Sequence, residues 1–281
     1  MRQNFLRLAS FCLLSGSLLV ASCSSDKNGD RVIFGIDNDV KLGAQVSREI
    51  DSTYRANGQL LDRNSSNAGV RRAYTHLDKM VSRLLESGAV SYKDEFAWDV
   101  KIINDPENLN AFATPGGHIY VFTGLIKYLD TEDQLAGVLG HEIAHADQRH
   151  TVKQLQKQYG INFLLSLILN EGSGEMQQIA GQLAGRLAGL KFSRDYERES
   201  DDYSVKYLAA TKYYACDGAA GFFQKMQSLA QAGNVPEFIS THPNPDNRIA
   251  EIQARAQEAG CSTTPQSKAN YNQFKQDLGL L

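Results

Sequence analysis

TEDQLAGVLGHEIAHADQRH, residues 131–150, holds a helix start and a pair of histidines in one run. The Thr131 hydroxyl suits a cap on the third amide, Gln134 can reach back, and Glu132 and Asp133 complement the helix dipole. A helix is therefore expected to begin here and to carry Leu135 to His150. On that helix His141 and His145 stand at i and i+4, one above the other, so that their imidazoles converge on one ion. Glu142 follows His141 with a rotation of about 100°, which lets its carboxylate meet a water at that ion without being a ligand.

Working outward, apolar residues recur at helical spacing over Asp37 to Gly58 (Val40, Leu42, Val46, Ile50) and Asn67 to Ser87 (Val70, Tyr74, Leu77, Val81, Leu84). These predict two long amphipathic helices. Phe96 to Ile103 alternates as a strand does, with Trp98, Val100 and Ile102 on one side. Ala111 to Thr114 and His118 to Phe122 are two short extended runs joined by the turn signal Pro115-Gly116-Gly117. Beyond Gly124 the pattern is helical, punctuated at Gly160, Glu171 to Gly174, Gly189, Pro243 and Pro245. Ile161 to Leu169 is unusually apolar but about half the length that spans a bilayer, and a buried core helix is the favoured reading. The expected class is α+β, mainly helical, with a small sheet beside the histidine helix.

Two histidines do not complete a catalytic zinc site, which takes three protein ligands and one open position. The metzincin third histidine is missing, because Gln148 and Thr151 stand where its Gly and His belong and His150 is one residue early. A Glu from a second helix is the other common solution, and the stretch Ser193 to Asp202 offers one.

That stretch, Ser193-Arg194 through Glu197 to Ser200-Asp201, resembles the S-R-x-x-E-x-x-A-D motif of the zinc endopeptidases that include the CAAX prenyl protease, HtpX and periplasmic quality-control proteases. The resemblance implies a minigluzincin-type fold and one Zn²⁺ per chain held by His141, His145 and Glu197, with Glu142 as the catalytic base. It also implies that Asp201 orients a liganding imidazole. Glu199 is the rival ligand but falls at the family's variable position, and Ser200 in place of Ala is expected to be silent. Asn110, Ala111, Phe112 and Ala113, with Gly117 to Val121, look like the family's substrate-binding edge, where an extended peptide pairs with the backbone; a plain structural hairpin is the alternative. Thr241-His242-Pro243 with Arg248-Ile249 resembles the family's C-terminal element. By that likeness His242 comes close to the metal, as an active-site plug, as a donor to the transition state, or as a mere loop anchor. His76, His118 and His150 are read as structural or exposed.

The 281 residues carry 29 Lys+Arg against 32 Asp+Glu, a net charge of -3 that sets nucleic-acid binding aside. Arg2 and Arg7 ahead of the apolar run Leu8 to Val20 resemble a signal peptide over 1–22. Val20-Ala21-Ser22-Cys23 resembles the lipobox, which implies lipidation at Cys23 and a tether over 23–36. The metallopeptidase domain is then expected over 37–262, with a tail over 263–281. Cys216 and Cys261 are a candidate disulfide, although spacing alone does not bring them together. The expectation is a lipid-anchored endopeptidase of the bacterial cell envelope, at the outer membrane facing the periplasm, acting on misfolded or unassembled envelope proteins. The alternative is an envelope chaperone or assembly factor with suppressed proteolysis.

Overall fold

The computed structural model describes residues 32–170, 173–233, 236–243, 247–265 and 268–281. The leader, Cys23, most of the tether and Pro245 lie outside the described residues. Two amphipathic helices come first, α1 (Ile36–Ala56) and α2 (Ala68–Leu85). Their buried faces are the predicted ones, Leu42, Val46 and Ile50 on α1 and Val70, Tyr74, Leu77, Val81 and Leu84 on α2. Asn67 caps α2 by accepting the Gly69 amide at 2.8 Å.

The strand read over Phe96 to Ile103 is shorter than expected: β1 spans Val100–Ile103. Trp98 takes a left-handed backbone (φ 46°), which keeps the strand from starting before it, and its ring still reaches the core and donates to the Tyr92 carbonyl at 3.0 Å. β2 (Ala111–Ala113) and β3 (Ile119–Phe122) form the expected hairpin, turning through Pro115–Gly117 with Gly116 and Gly117 both at positive φ. The sheet order is β1-β3-β2, with β3 parallel to β1 and antiparallel to β2.

All of β3 is buried because the sheet lies between two apolar layers. Ile119 and Val121 face one cluster, and Tyr120 and Phe122 the other. The first layer gathers α2, α3 (Thr123–Tyr128), α4 (Glu132–Asp147), α8 (Arg194–Thr211), α9 (Gly218–Gln231), α10 (Glu237–Thr241), α11 (Arg248–Glu258) and α12 (Lys268–Asp277). The second gathers α1, α5 (His150–Tyr159), α6 (Ile161–Leu169) and α7 (Gly174–Leu187). In α6 only Leu164 and Leu167 are fully buried and Leu169 is 78% exposed, so this helix is half-buried rather than the core helix expected. Among the described residues no helix is long and apolar enough to cross a membrane. Within 263–281, Tyr271 and Phe274 of α12 are buried in the first cluster, and the Tyr271 hydroxyl donates to the Ile126 carbonyl at 2.8 Å. Cys216 and Cys261 are joined as a disulfide, their Cα atoms 6.2 Å apart.

Candidate active site

The histidine helix α4 starts as predicted: the Thr131 hydroxyl accepts the Gln134 amide at 3.3 Å. Gln134 reaches back one residue further than a capping box requires, accepting the Asp130 amide at 2.8 Å. Two glycines then let neighbours close in. A Cβ at Gly137 would overlap the backbone of Ala219 on α9, and one at Gly140 would lie 2.8 Å from Ser204 Oγ on α8. The Ser204 hydroxyl uses that proximity to donate to the Gly137 carbonyl at 2.8 Å. With α8 drawn this near, Glu197 and Asp201, one turn apart, reach the two histidines.

His141, His145, Glu197 and His242 place one donor atom each within 4.8 Å of one another, and all four are buried. The Nε2 atoms of His141 and His145 are 3.0 Å apart. Glu197 Oε2 is 3.4 Å from His141 Nε2, and Oε1 is 3.5 Å from His145 Nε2. His242 Nδ1 lies 3.3 Å from His141 Nε2 and 3.1 Å from Glu197 Oε1. Ligands at 2.0–2.1 Å around one tetrahedral ion lie about 3.3 Å apart, the spacing that His141, His145 and Glu197 present.

Charge points the same way. Glu142, Glu197 and Asp201 are three buried carboxylates facing one buried guanidinium, that of Arg248, so with neutral imidazoles the set carries -3 + 1 = -2. Glu142 Oε1 and Glu197 Oε2 have no aligned hydrogen-bond donor among the described residues, although Arg248 Nη2 is 3.1 Å from the latter. A divalent cation fits such a site in both geometry and charge.

The protonation tendencies follow from these neighbours. Burial alone would raise Glu197, but the charge of His242 and hydrogen bonds from His141, His145 and His242 hold it well below the usual carboxylate range. Burial works to lower His141, yet its bonds to Asp201 and Glu197 prevail and push it up to about 9. His145, which gains less from Glu197 than burial removes, falls well below the usual imidazole range. Glu142 is raised, chiefly by burial, against the lowering influence of His242, His141 and the Ala113 amide.

Asp201 stands where the motif put it, its Oδ1 2.9 Å from His141 Nδ1. The residue that sequence reasoning undervalued is Arg248. It is 1% exposed, donates to Asp201 through Nε (2.6 Å) and Nη2 (2.8 Å), and lies 3.5 Å over the Phe223 ring. Its signal was the Arg248-Ile249 pair that follows His242-Pro243, read as a family mark without a role.

Three more expectations meet the structure at this point. Glu199 is not at the cluster; its carboxylate faces His150 Nε2 at 3.3 Å. Ser200, expected to be silent, has its hydroxyl 3.2 Å from His150 Nδ1. His150 is wholly buried, and its Nδ1 lies 3.1 Å from His145 Nδ1. Of the others, His118 pairs with Asp99 and His76 stacks on Phe274.

β2 is an outer strand of the sheet. The Phe122 amide bonds the Asn110 carbonyl (3.1 Å) and the Thr114 amide the His118 carbonyl (2.9 Å), so by alternation Ala111 and Ala113 turn their amides and carbonyls away from β3. Phe112 packs on Tyr120 with ring centres 4.8 Å apart. The Ala113 amide thus faces Glu142. The Asn110 side chain donates to the Ala188 carbonyl at 3.3 Å and accepts the Ala111 amide at 3.0 Å. Above the cluster, the Phe192 amide bonds the Thr241 carbonyl at 3.3 Å while the Phe192 and Phe238 rings cover His145 and His242.

Comparison with known proteins matches residues 72–256 to peptidase family M48. The chain is 30% identical over 187 residues to the mitochondrial metalloendopeptidase OMA1 of Schizosaccharomyces pombe, covering 66% of this chain and 53% of that one. It is 30% identical over 189 residues to the beta-barrel assembly-enhancing protease of Escherichia coli K12, covering 64% and 38%. It thus spans about half or less of the length of these relatives. The matched region contains His141, His145, Glu197, Asp201, His242 and Arg248, and by this match the chain belongs to peptidase family M48.

Proposed function

We propose that the chain is a zinc-dependent endopeptidase. The observation that carries this reading is the buried His141–His145–Glu197 set, with edges of 3.0, 3.4 and 3.5 Å and Glu142 beside it. All-nitrogen-and-oxygen donors in a tetrahedral spacing suit zinc, with three protein ligands and one exchangeable position. Bound zinc supplies a Lewis acid for the scissile carbonyl and makes the attacking water acidic enough to ionise near neutral pH. Glu142 takes the water proton and delivers it to the leaving amine; a carboxylate raised by burial suits that exchange. Asp201, fastened by Arg248, keeps the His141 ring turned with its Nε2 toward the cluster. An extended peptide lies along β2, pairing with the backbone edge of Ala111 and Ala113 that faces away from β3 and replacing the Asn110 side chain at the Ala111 amide and the Thr151 hydroxyl at the Ala113 carbonyl, which brings its bond to Glu142 with little side-chain selection.

His242 acts here as a plug. Its Nδ1 lies 3.3 Å from His141 Nε2 and 3.1 Å from Glu197 Oε1, against the donor set, and its Nε2 is 3.6 Å from Glu142 Oε1, so a substrate must displace His242 to reach either. The cellular setting belongs to the same proposal: a lipoprotein acylated at Cys23, at the outer membrane facing the periplasm, acting on misfolded or unassembled envelope polypeptides. The lipobox-like run at 20–23 and the similarity to the beta-barrel assembly-enhancing protease of Escherichia coli support it.

Casein cleavage by the zinc-loaded chain, compared with Glu142→Gln, tests the activity. Cleavage by the wild type alone is expected. Equal cleavage by both removes Glu142 from the reaction, and cleavage by neither, but by His242→Ala, identifies the plugged state.

A further inference from the structure

We infer that His150 and Glu199 form a relay that holds the second zinc ligand, His145, in its liganding tautomer. The inference rests on the proposed metal site and adds to it two residues to which the motifs assign no role.

The geometry determines the protons. His145 presents Nε2 to the cluster, 3.0 Å from His141 Nε2. An imidazole that ligates through Nε2 keeps its proton on Nδ1. That Nδ1 is 3.1 Å from His150 Nδ1, so His150 must accept there and carry its own proton on Nε2. Its Nε2 is 3.3 Å from Glu199 Oε2, which accepts it. The chain of bonds ends on a carboxylate, as it does on the other ligand, where His141 Nδ1 donates to Asp201. The two ligands are thus held alike, His141 directly by an acid and His145 by an acid acting through a second imidazole.

Residue 150 could not do this on a continuous helix, since five residues at 100° each place it about 140° around from His145. The chain breaks α4 at Asp147 and restarts α5 at His150, with Arg149 in the left-handed region at φ 60°. That conformation is unfavourable for a residue with a Cβ and needs outside support. It is held by a two-pronged pair to the buried Asp39, Nε to Oδ2 at 2.7 Å and Nη2 to Oδ1 at 2.8 Å, and by a bond to the Phe34 carbonyl. The His150 ring is then fixed by stacking on Tyr196, with centres 4.3 Å apart, while the Ser200 hydroxyl, 3.2 Å from Nδ1, shares the acceptor that takes the His145 proton. His150 is fully buried.

The test is zinc affinity of the full chain, stripped of metal and titrated in competition with a chromogenic chelator, with the Co²⁺ absorption spectrum as a second readout. His150→Phe keeps a ring of similar size but accepts no bond. It is expected to weaken zinc binding by about 10–100-fold and to alter the cobalt spectrum, with circular dichroism unchanged. His150→Gln, whose carbonyl can accept from His145, should recover most of the loss. Wild-type affinity in His150→Phe, or equal loss in the Phe and Gln variants, overturns the relay. If His150→Phe does not fold, Glu199→Ala decides, because its side chain is at the 13% exposed end of the relay. Weaker zinc binding there supports the relay, and unchanged binding overturns it. A wild type that takes up no zinc, or takes it up equally with His141→Ala, overturns the metal site itself and the relay with it.

Discussion

The Cys216–Cys261 disulfide should set much of the stability of the site's C-terminal half. It ties the segment between α8 and α9, where the Cys216 amide also bonds the Ser262 carbonyl at 2.9 Å, to the end of α11, whose first residue is Arg248. The bridge closes 45 residues of chain. Restricting an unfolded loop of that length lowers its entropy by about 13 cal/mol/K, which corresponds to ~4 kcal/mol at 25 °C. Replacing both cysteines by serine avoids an unpaired thiol and should lower the unfolding free energy by that order. At roughly 2–4 °C per kcal/mol for a domain of this size, the midpoint should fall by roughly 8–16 °C. Denaturant and thermal unfolding in EDTA are the appropriate assays, since bound metal would add its own binding free energy to both proteins. A loss under about 1 kcal/mol would refute the reasoning. It would mean either that the unfolded chain is already compact across this loop or that strain in the native bridge offsets the entropy.

Gly137→Ala should destabilise the protein by about 1–3 kcal/mol in chemical denaturation, despite alanine's better helix propensity, because the new methyl meets the Ala219 backbone. Arg248→Met should cost about 3–5 kcal/mol without metal, because Asp201 and Glu197 lose their buried counter-charge, and added zinc should recover part of it in a thermal shift assay. His141, raised from 6.5 to about 9 in the folded protein, stabilises the metal-free state fully below pH 6.5 and ceases to do so as pH rises through about 9. Zinc must displace that proton, so its apparent affinity should rise about tenfold per pH unit up to about pH 9, read by chelator competition.

Some of this was local enough to be written in the sequence. The α4 start, the His141 and His145 pairing and the faces of α1 and α2 follow from spacing along one helix, where i and i+4 must coincide. The hairpin followed from Pro115-Gly116-Gly117 between two extended runs. Glu197 and Asp201 were legible only because their motif repeats a known pattern; spacing alone could not join them to a helix 50 residues earlier. What the tertiary structure alone decided lies where chain direction changes or distant segments meet. Trp98 made β1 start late through a backbone angle no alternation reveals. Half-burial of α6 depended on what packs over it. Arg248 acquired its role from two carboxylates 47 and 51 residues away in sequence, Asp201 and Glu197. His150 is the clearest case, since five positions after His145 a helix would carry it away, and only the left-handed turn at Arg149, held by Asp39 from α1, brings the two rings together. Sequence determines contacts whose geometry a single repeating element dictates, whereas contacts made across a break in that element depend on how separate pieces pack.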